Sequence, residues 1–217
     1  MKNNFYFFLA ATALLSCGPQ ERVSKETFEE VNRNMEVKRL TEAEIINEAM
    51  IWGDSITKEA QNQLITQLQQ AIENQGFPGA IEFCQANATS ILGSLGESHS
   101  VQIKRVSNRY RNPSDQPEPV QQPILEAYEY NAENGIKSDP NIQKIQNGEV
   151  LLYTKPIVIS NSMCLSCHGE PGKEVSEGTL AKLSEKYPAD RALGHRMGDL
   201  RGMWSVKLPK KEVVKRL

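Results

Sequence analysis

The segment Ser162-Met163-Cys164-Leu165-Ser166-Cys167-His168-Gly169 decides how the rest of the chain is read. It contains C-x-x-C-H, the attachment signature of a c-type haem. In that chemistry Cys164 and Cys167 add across the two vinyl groups as thioethers, and His168 binds the iron through an imidazole nitrogen. The spacing has a physical reason. Two thioethers pin one edge of the porphyrin, and the residue that follows lies beneath the metal. A C-x-x-C redox pair and half of a zinc site are the competing readings. Zinc needs a second Cys/His pair at ligand spacing, whereas the other cysteines and histidines are isolated. The segment therefore predicts one covalent haem c.

The composition agrees with a cofactor-filled domain. At 217 residues the chain is long enough for one domain with a core, plus an extension. A net charge of −2 gives no electrostatic case for nucleic acid as a partner. Aromatic residues make up only 6% of the chain, and a flat apolar porphyrin would supply part of the core instead. The cysteines stand at 17, 84, 164 and 167, and no disulfide framework is apparent.

Residues 1–17 read as a lipoprotein signal peptide. Lys2 opens it, and an apolar run from Phe5 to Leu15 follows, interrupted only by Thr12. That run is too short for a permanent membrane span and suits a signal h-region. Leu14-Leu15-Ser16-Cys17 resembles a bacterial lipobox, in which the cysteine is acylated and becomes the mature N-terminus. Ordinary cleavage after Ala11-Thr12-Ala13 is the alternative, and it would leave Cys17 as a free thiol. Either way the chain is exported to where c-type haem is attached. The lipobox reading places it in the cell envelope, held to the membrane by lipid. Residues 18–40 are polar and charged and are read as a tether.

A long helix is predicted over 41–75, opened by a capping box at Thr41 and Glu44. Ile45, Ala49, Trp52, Ile56, Ala60, Leu64, Leu68 and Ile72 recur at three- and four-residue steps as one apolar stripe. The stripe either covers the haem domain or forms a homodimer seam. Gly76-Phe77-Pro78-Gly79 ends it, and a second helix runs from about 79 to 92 with Cys84 on its apolar face. A half-buried strand at 101–103, a helix over 124–134, and a doubly buried strand over 150–159 lead to the haem motif. A short helix near 180–186 and a last strand over 203–208 complete the pattern, and the basic tail 210–216 reads as solvated.

His168 fills one axial position, and the function turns on the other. Met163 neighbours an attachment cysteine and is excluded by geometry. Met197 or Met203 would give the His/Met pair that raises the reduction potential. His99 or His195 would give a bis-imidazole haem, and Cys84 as thiolate would lower the potential. Periodicity does not choose among them.

Four stretches resemble the c-type haem family domain, once of unknown function, found as an exported single domain and as the sensing part of bacterial signalling proteins. They are Ile81-Glu82-Phe83-Cys84, Val106-Ser107 with Tyr110-Arg111-Asn112-Pro113, Tyr153 with Pro156-Ile157 running into Cys164–Gly169, and Gly198-Asp199-Leu200-Arg201-Gly202. In place of a tryptophan often found after the Arg-Asn-Pro loop, this chain has Pro117-Glu118-Pro119. The resemblance implies an α+β domain over 41–217, whose core at 79–208 is a PAS-like antiparallel sheet with flanking helices, behind the long N-terminal helix. It also implies a cysteine opposite the motif histidine, and Cys84 is the matching position. Arg111, Arg196 and Arg201 are the candidate propionate contacts, because a guanidinium pairs with a carboxylate in bidentate fashion. The implied role is redox or small-ligand sensing, with the signal passed to a partner protein. A low-potential periplasmic electron carrier is the alternative, and the missing acid/base constellation argues against an enzyme.

Overall fold

The computed structural model describes residues 24–34 and 40–217. The expected signal peptide with Cys17, and the tether residues 18–23 and 35–39, lie outside the described residues. Inside that tether, α1 (Lys25–Asn34) is a helix with Phe28 and Val31 exposed. It belongs to one compact unit, residues 1–39, and residues 40–217 form the other.

The second unit begins at Thr41. Its hydroxyl accepts from the Glu44 amide at 3.2 Å, and the Glu44 carboxylate accepts from the Thr41 amide at 2.7 Å, which completes the capping box. The helix that follows, α2 (Glu42–His99), is broken at Gly76, whose φ of 68° and ψ of −180° take the chain out of helical space. Glycine occupies that conformation without the clash a Cβ would bring. Pro78 falls in the first turn after the break, where a missing amide costs little. The helix thus pauses where the sequence predicts an end, then continues past Leu92 to His99.

Four antiparallel strands follow in chain order: β1 (Gln102–Val106), β2 (Asn141–Ile145), β3 (Val150–Val158) and β4 (Leu200–Pro209). Their spatial order is β1-β4-β3-β2, so the last strand lies in the middle of the sheet. With helices on both faces, the unit is α+β. Period-two alternation sorts the side chains. Leu151 and Tyr153 of β3, with Trp204, Val206 and Leu208 of β4, meet Ile45, Ala49, Trp52, Ile56 and Ala60 of α2 in one core. On the other face Met203 packs with Val106 and with Leu125 and Tyr128 of α3 (Gln122–Glu133). Polar groups buried there are paired: Gln121 donates to Ser205 Oγ at 2.8 Å, and Tyr128 shares a hydrogen bond with Thr154 Oγ1 at 3.1 Å. The apolar stripe of α2 therefore covers its own sheet, which is the first of its two predicted uses.

Two features depart from the sequence reading. The edge strand β2 has no buried residue, so its half-exposed alternation leaves little apolar signal. The tail expected to be solvated keeps Lys210, Lys211, Lys215 and Arg216 exposed, but it is partly helical and anchored by one apolar residue. It forms α6 (Lys210–Val214), with Val213 fully buried, and places Arg216 over the Trp52 ring at 4.7 Å and against Glu48 at 2.8 Å. The Pro117-Glu118-Pro119 stretch is held by the Glu118 carboxylate, which accepts from Lys207 Nζ at 2.7 Å.

Gly53 faces the ring of Tyr153 so closely that a Cβ there would penetrate it. Gly53→Ala is expected to lower stability by about 1–3 kcal/mol, the usual cost of overpacking a close contact. Urea denaturation checks this, and an unchanged midpoint would mean that the helix has room to lift.

Candidate functional site

The motif forms the short helix α4 (Ser162–His168), capped by Asn161, whose side chain accepts from the Met163 amide at 2.8 Å. On a helix, residues three and four apart share a face. Cys164, Cys167 and His168 therefore present their side chains to one side. The loop after α5 (Glu177–Lys186) is laced to the end of this helix. The Gly194 and His195 amides donate to the carbonyls of Gly169 and His168, each at 2.8 Å. The His168 ring Nδ1 lies 3.0 Å from the Ala192 carbonyl. A carbonyl only accepts, so this contact puts the ring proton on Nδ1 and leaves Nε2 as the acceptor, met only by Arg201 Nε at 3.4 Å. Burial, reinforced by Arg201 and Arg111, holds the His168 pKa well below the ordinary histidine value. The ring is neutral and its basic nitrogen is available, as a metal-ligating imidazole requires.

Two cavities, of about 300 and 340 Å³, meet at His168, Arg105, Asp115 and Arg201. Both volumes fall at the low end of the range for small-molecule and cofactor sites, about 300–1,000 Å³. Cys164 opens into the first, whose walls include Leu64 and Ile65 of α2, Ile157–Ile159 and Trp204. Cys167 opens into the second, where Cys84 reaches in from the far half of α2, beside Leu68, Ile81 and Tyr187. Cys84, Cys167 and His168 thus border one space, although they come from segments some eighty residues apart in sequence. Burial pushes the thiols of Cys84 and Cys167 up, the latter to about 11, and Arg105 and Arg111 pull Cys84 part of the way back.

The other predicted residues divide clearly. Arg201 lines both cavities, with its Nε 3.4 Å from His168 Nε2 and one terminal nitrogen donating to the Arg109 carbonyl at 3.0 Å. Burial, with Arg105 and Arg111 close by, depresses its pKa to about 9. Arg111 is already occupied: it donates to Asp190 at 3.0 Å and to the Cys167 carbonyl at 2.6 Å. Arg196 does not join the cleft. It is exposed and lines neither cavity, and its amide is bound to Asp199. Met197 is also exposed, and Met203 is sealed in the core beneath α3. His99 pairs with Glu59 at 3.0 Å on the surface. His195 is buried beside His168, with ring centroids 6.1 Å apart, and its Nδ1 faces Arg109 at 3.2 Å. Its Nε2 is buried with no hydrogen-bond partner among the described residues, and burial drops its pKa to about 4.

The sequence reading missed Arg105 and Asp115, both of which line both cavities. The strand's alternation gave no signal for Arg105, because after Ile103 the next buried residue is Val106 and Arg105 is exposed. Among the described residues no three His, Cys, Asp or Glu side chains converge to hold a metal ion.

The fold and cleft define a small α+β domain in which a Cys/Cys/His helix faces a helix-borne cysteine and a group of arginines. A family model described as Tll0287-like, Tll0287, matches residues 22–209, and the chain belongs to the Tll0287-like family. Among solved structures it is similar to one described as the crystal structure of the cyanobacterial heme-protein Tll0287. The two share 27% identity over 68% of this chain and 91% of that one, with a TM-score of 0.48. No curated protein matches the chain.

Asp115 offers a test of the cleft's electrostatics. Burial pushes its carboxyl up, against the opposing pull of Arg105, Arg201 and Lys104. The native state then binds more protons than the unfolded state between the two pKa values, so stability falls as pH rises through that window. Asp115→Asn is expected to remove this slope in urea titrations run from about pH 4 to pH 7, where carboxyls with raised pKa values titrate. A slope that survives the substitution would assign it to another group.

Proposed function

We propose that the protein carries one covalently attached haem, bound by thioethers at Cys164 and Cys167, and that its iron is held between His168 and Cys84. The observation that carries this reading is the His168 environment: Nδ1 anchored on the Ala192 carbonyl, Nε2 engaged only by a long 3.4 Å contact from Arg201, and both attachment cysteines bordering the adjoining cavities. The family takes its description from Tll0287, a protein described as a heme-protein, and this supports the same reading.

The residues fit such a group. Apolar walls from α2 and the sheet suit a porphyrin's faces, and guanidinium groups suit its carboxylates. When bound, the haem supplies a one-electron redox centre whose potential is set by its axial ligands. His168 is presented neutral and in a fixed tautomer by the loop at 192–195. Cys84 approaches from a separately hinged helix segment. Burial pushes its thiol up, with Arg105 and Arg111 opposing that push; as a thiolate ligand it would lower the potential relative to a methionine.

A thiolate on a hinged segment is suited to reporting redox state or a small diatomic ligand, and we assign the protein to sensing, with its output passed to a partner protein. Dedicated low-potential electron transfer is the second reading, favoured by the same ligand pair. Neither His99 nor His195 lines either of the two cavities beside His168. The signal peptide and lipid anchor at Cys17 place the protein on the cell envelope, where covalent haem attachment takes place.

Purified protein is expected to hold haem through acid-acetone extraction, and Cys164→Ala with Cys167→Ala to release it. The ferric spectrum is expected to be low-spin with thiolate character that Cys84→Ala abolishes; an unchanged spectrum would move the second ligand to another residue. Separately, Cys17→Ser is expected to shift the protein from the membrane fraction to the soluble fraction, and continued membrane binding would refute the lipid anchor.

A further inference from the structure

Arginines are unevenly satisfied around the cleft. Arg111 has a carboxylate, Asp190, and a backbone carbonyl, that of Cys167. Arg109 donates to the Leu193 carbonyl and to the His195 ring. Arg201, enclosed at the junction of the two cavities, forms no ion pair among the described residues. Its hydrogen-bond acceptors are the Arg109 carbonyl and the imidazole of His168. Arg105 lines the same junction from an exposed position on β1, and it too forms no ion pair among the described residues. One carboxylate, Asp115, stands there against two guanidinium groups.

A half-buried charge with no countercharge, as at Arg201, is costly, and the exposed Arg105 beside it shares that lack more cheaply. Here the cost is aggravated by repulsion, because Arg105, Arg111 and Arg201 share one neighbourhood. An arrangement of this kind is relieved by an anionic ligand that reaches both free guanidinium groups, and paired carboxylates match their fork geometry.

We infer that Arg105 and Arg201 form a clamp for the two carboxylates of the bound porphyrin, and that Arg111 is a positioning residue that braces the attachment helix through the Cys167 carbonyl. This rests on the haem reading above and deepens it. It replaces Arg196 with Arg105 and removes Arg111 from direct contact with the ligand.

The experiment uses the full chain carrying Cys164→Ala and Cys167→Ala, so that binding is reversible, with haemin and its dimethyl ester as paired probes. The clamp predicts that haemin binds on the order of tenfold or more tightly than the ester, the size of one charge-assisted hydrogen bond. Arg105→Gln or Arg201→Gln is expected to bring that ratio close to one. Arg111→Gln and Arg196→Gln are expected to preserve it, with Arg111→Gln lowering thermal stability. Equal binding of the two probes, or a ratio that survives both Arg105→Gln and Arg201→Gln, overturns the clamp while leaving the haem reading intact.

Should the cysteine variant fail to fold, the covalently loaded protein supplies the second measurement, a pH titration of the carboxylates followed by resonance Raman. Arg105→Gln and Arg201→Gln are expected to raise the protonation midpoint there, and an unmoved midpoint in both overturns the clamp. Protein that carries no haem at all overturns the clamp together with the reading beneath it.

Discussion

The seating of α2 on the sheet is the contact from which the rest of the molecule takes its position. Trp52, Ile56 and Ala60 meet Tyr153 and Trp204 in a continuous core, and Gly53 lets the helix approach until its backbone rests against the Tyr153 ring. Apolar burial of this kind is the dominant favourable contribution to folding. Its geometry then sets what lies beyond. After Ala60 the stripe runs past the packed core, and Leu64 and Ile65 become one wall of the first cavity. The kink at Gly76 releases the helix from that direction and lets its second half carry Cys84 to the opposite wall. One helix thus serves as core, as wall of the first cavity and, past its kink, as wall of the second.

On the other side of the cleft, backbone hydrogen bonds do the positioning. The loop at 190–195 ties itself to α4 through two amides and one histidine ring, and Arg111 reaches from the β1 side to the Cys167 carbonyl. Each of these bonds contributes little net stability alone. Together they fix the orientation of His168 while leaving its outward nitrogen unbonded except for the long Arg201 contact. A ring so enclosed and surrounded by guanidinium groups stays neutral. The positive crowding that would destabilise an ordinary core is what the proposed dicarboxylic ligand would relieve.

Much of this was legible in the sequence because it is local. The Thr41 capping box, the stripe from Ile45 to Ala60, the break at Gly76 and the strand before the motif each follow from neighbouring residues. The face of Cys84 was legible for the same reason, since helical spacing aligned it with Ile81 and Ala88. What escaped depended on partners far away in the chain. Arg196 and Arg201 lie in one glycine-spaced loop, and nothing local says that the strand beginning at Leu200 carries one into the cleft and leaves the other in solvent. His195 looked like a candidate iron ligand until Arg109 claimed it from across 86 residues. The tail at 210–216 read as polar because its burial rests on Val213 and on the aliphatic and cationic reach of Arg216 over Trp52. The edge strand β2 was invisible because an edge that faces water needs no apolar side.

The strand order carries a consequence for how the chain assembles. β4 is the last strand to be synthesised, yet it sits between β1 and β3, and no other strand joins the two. Until residues 200–209 arrive, β1 has no partner, and the hairpin of β2 and β3 has a bare edge. Pairing β1 with β4 closes a loop of roughly a hundred residues, an entropic cost that slows folding of non-local sheets. Residues 164–168 precede that closing strand, so the emerging chain exposes its two cysteines and histidine before the sheet can shut. The topology therefore schedules events: the site is presented first, and the framework that encloses it is completed afterwards.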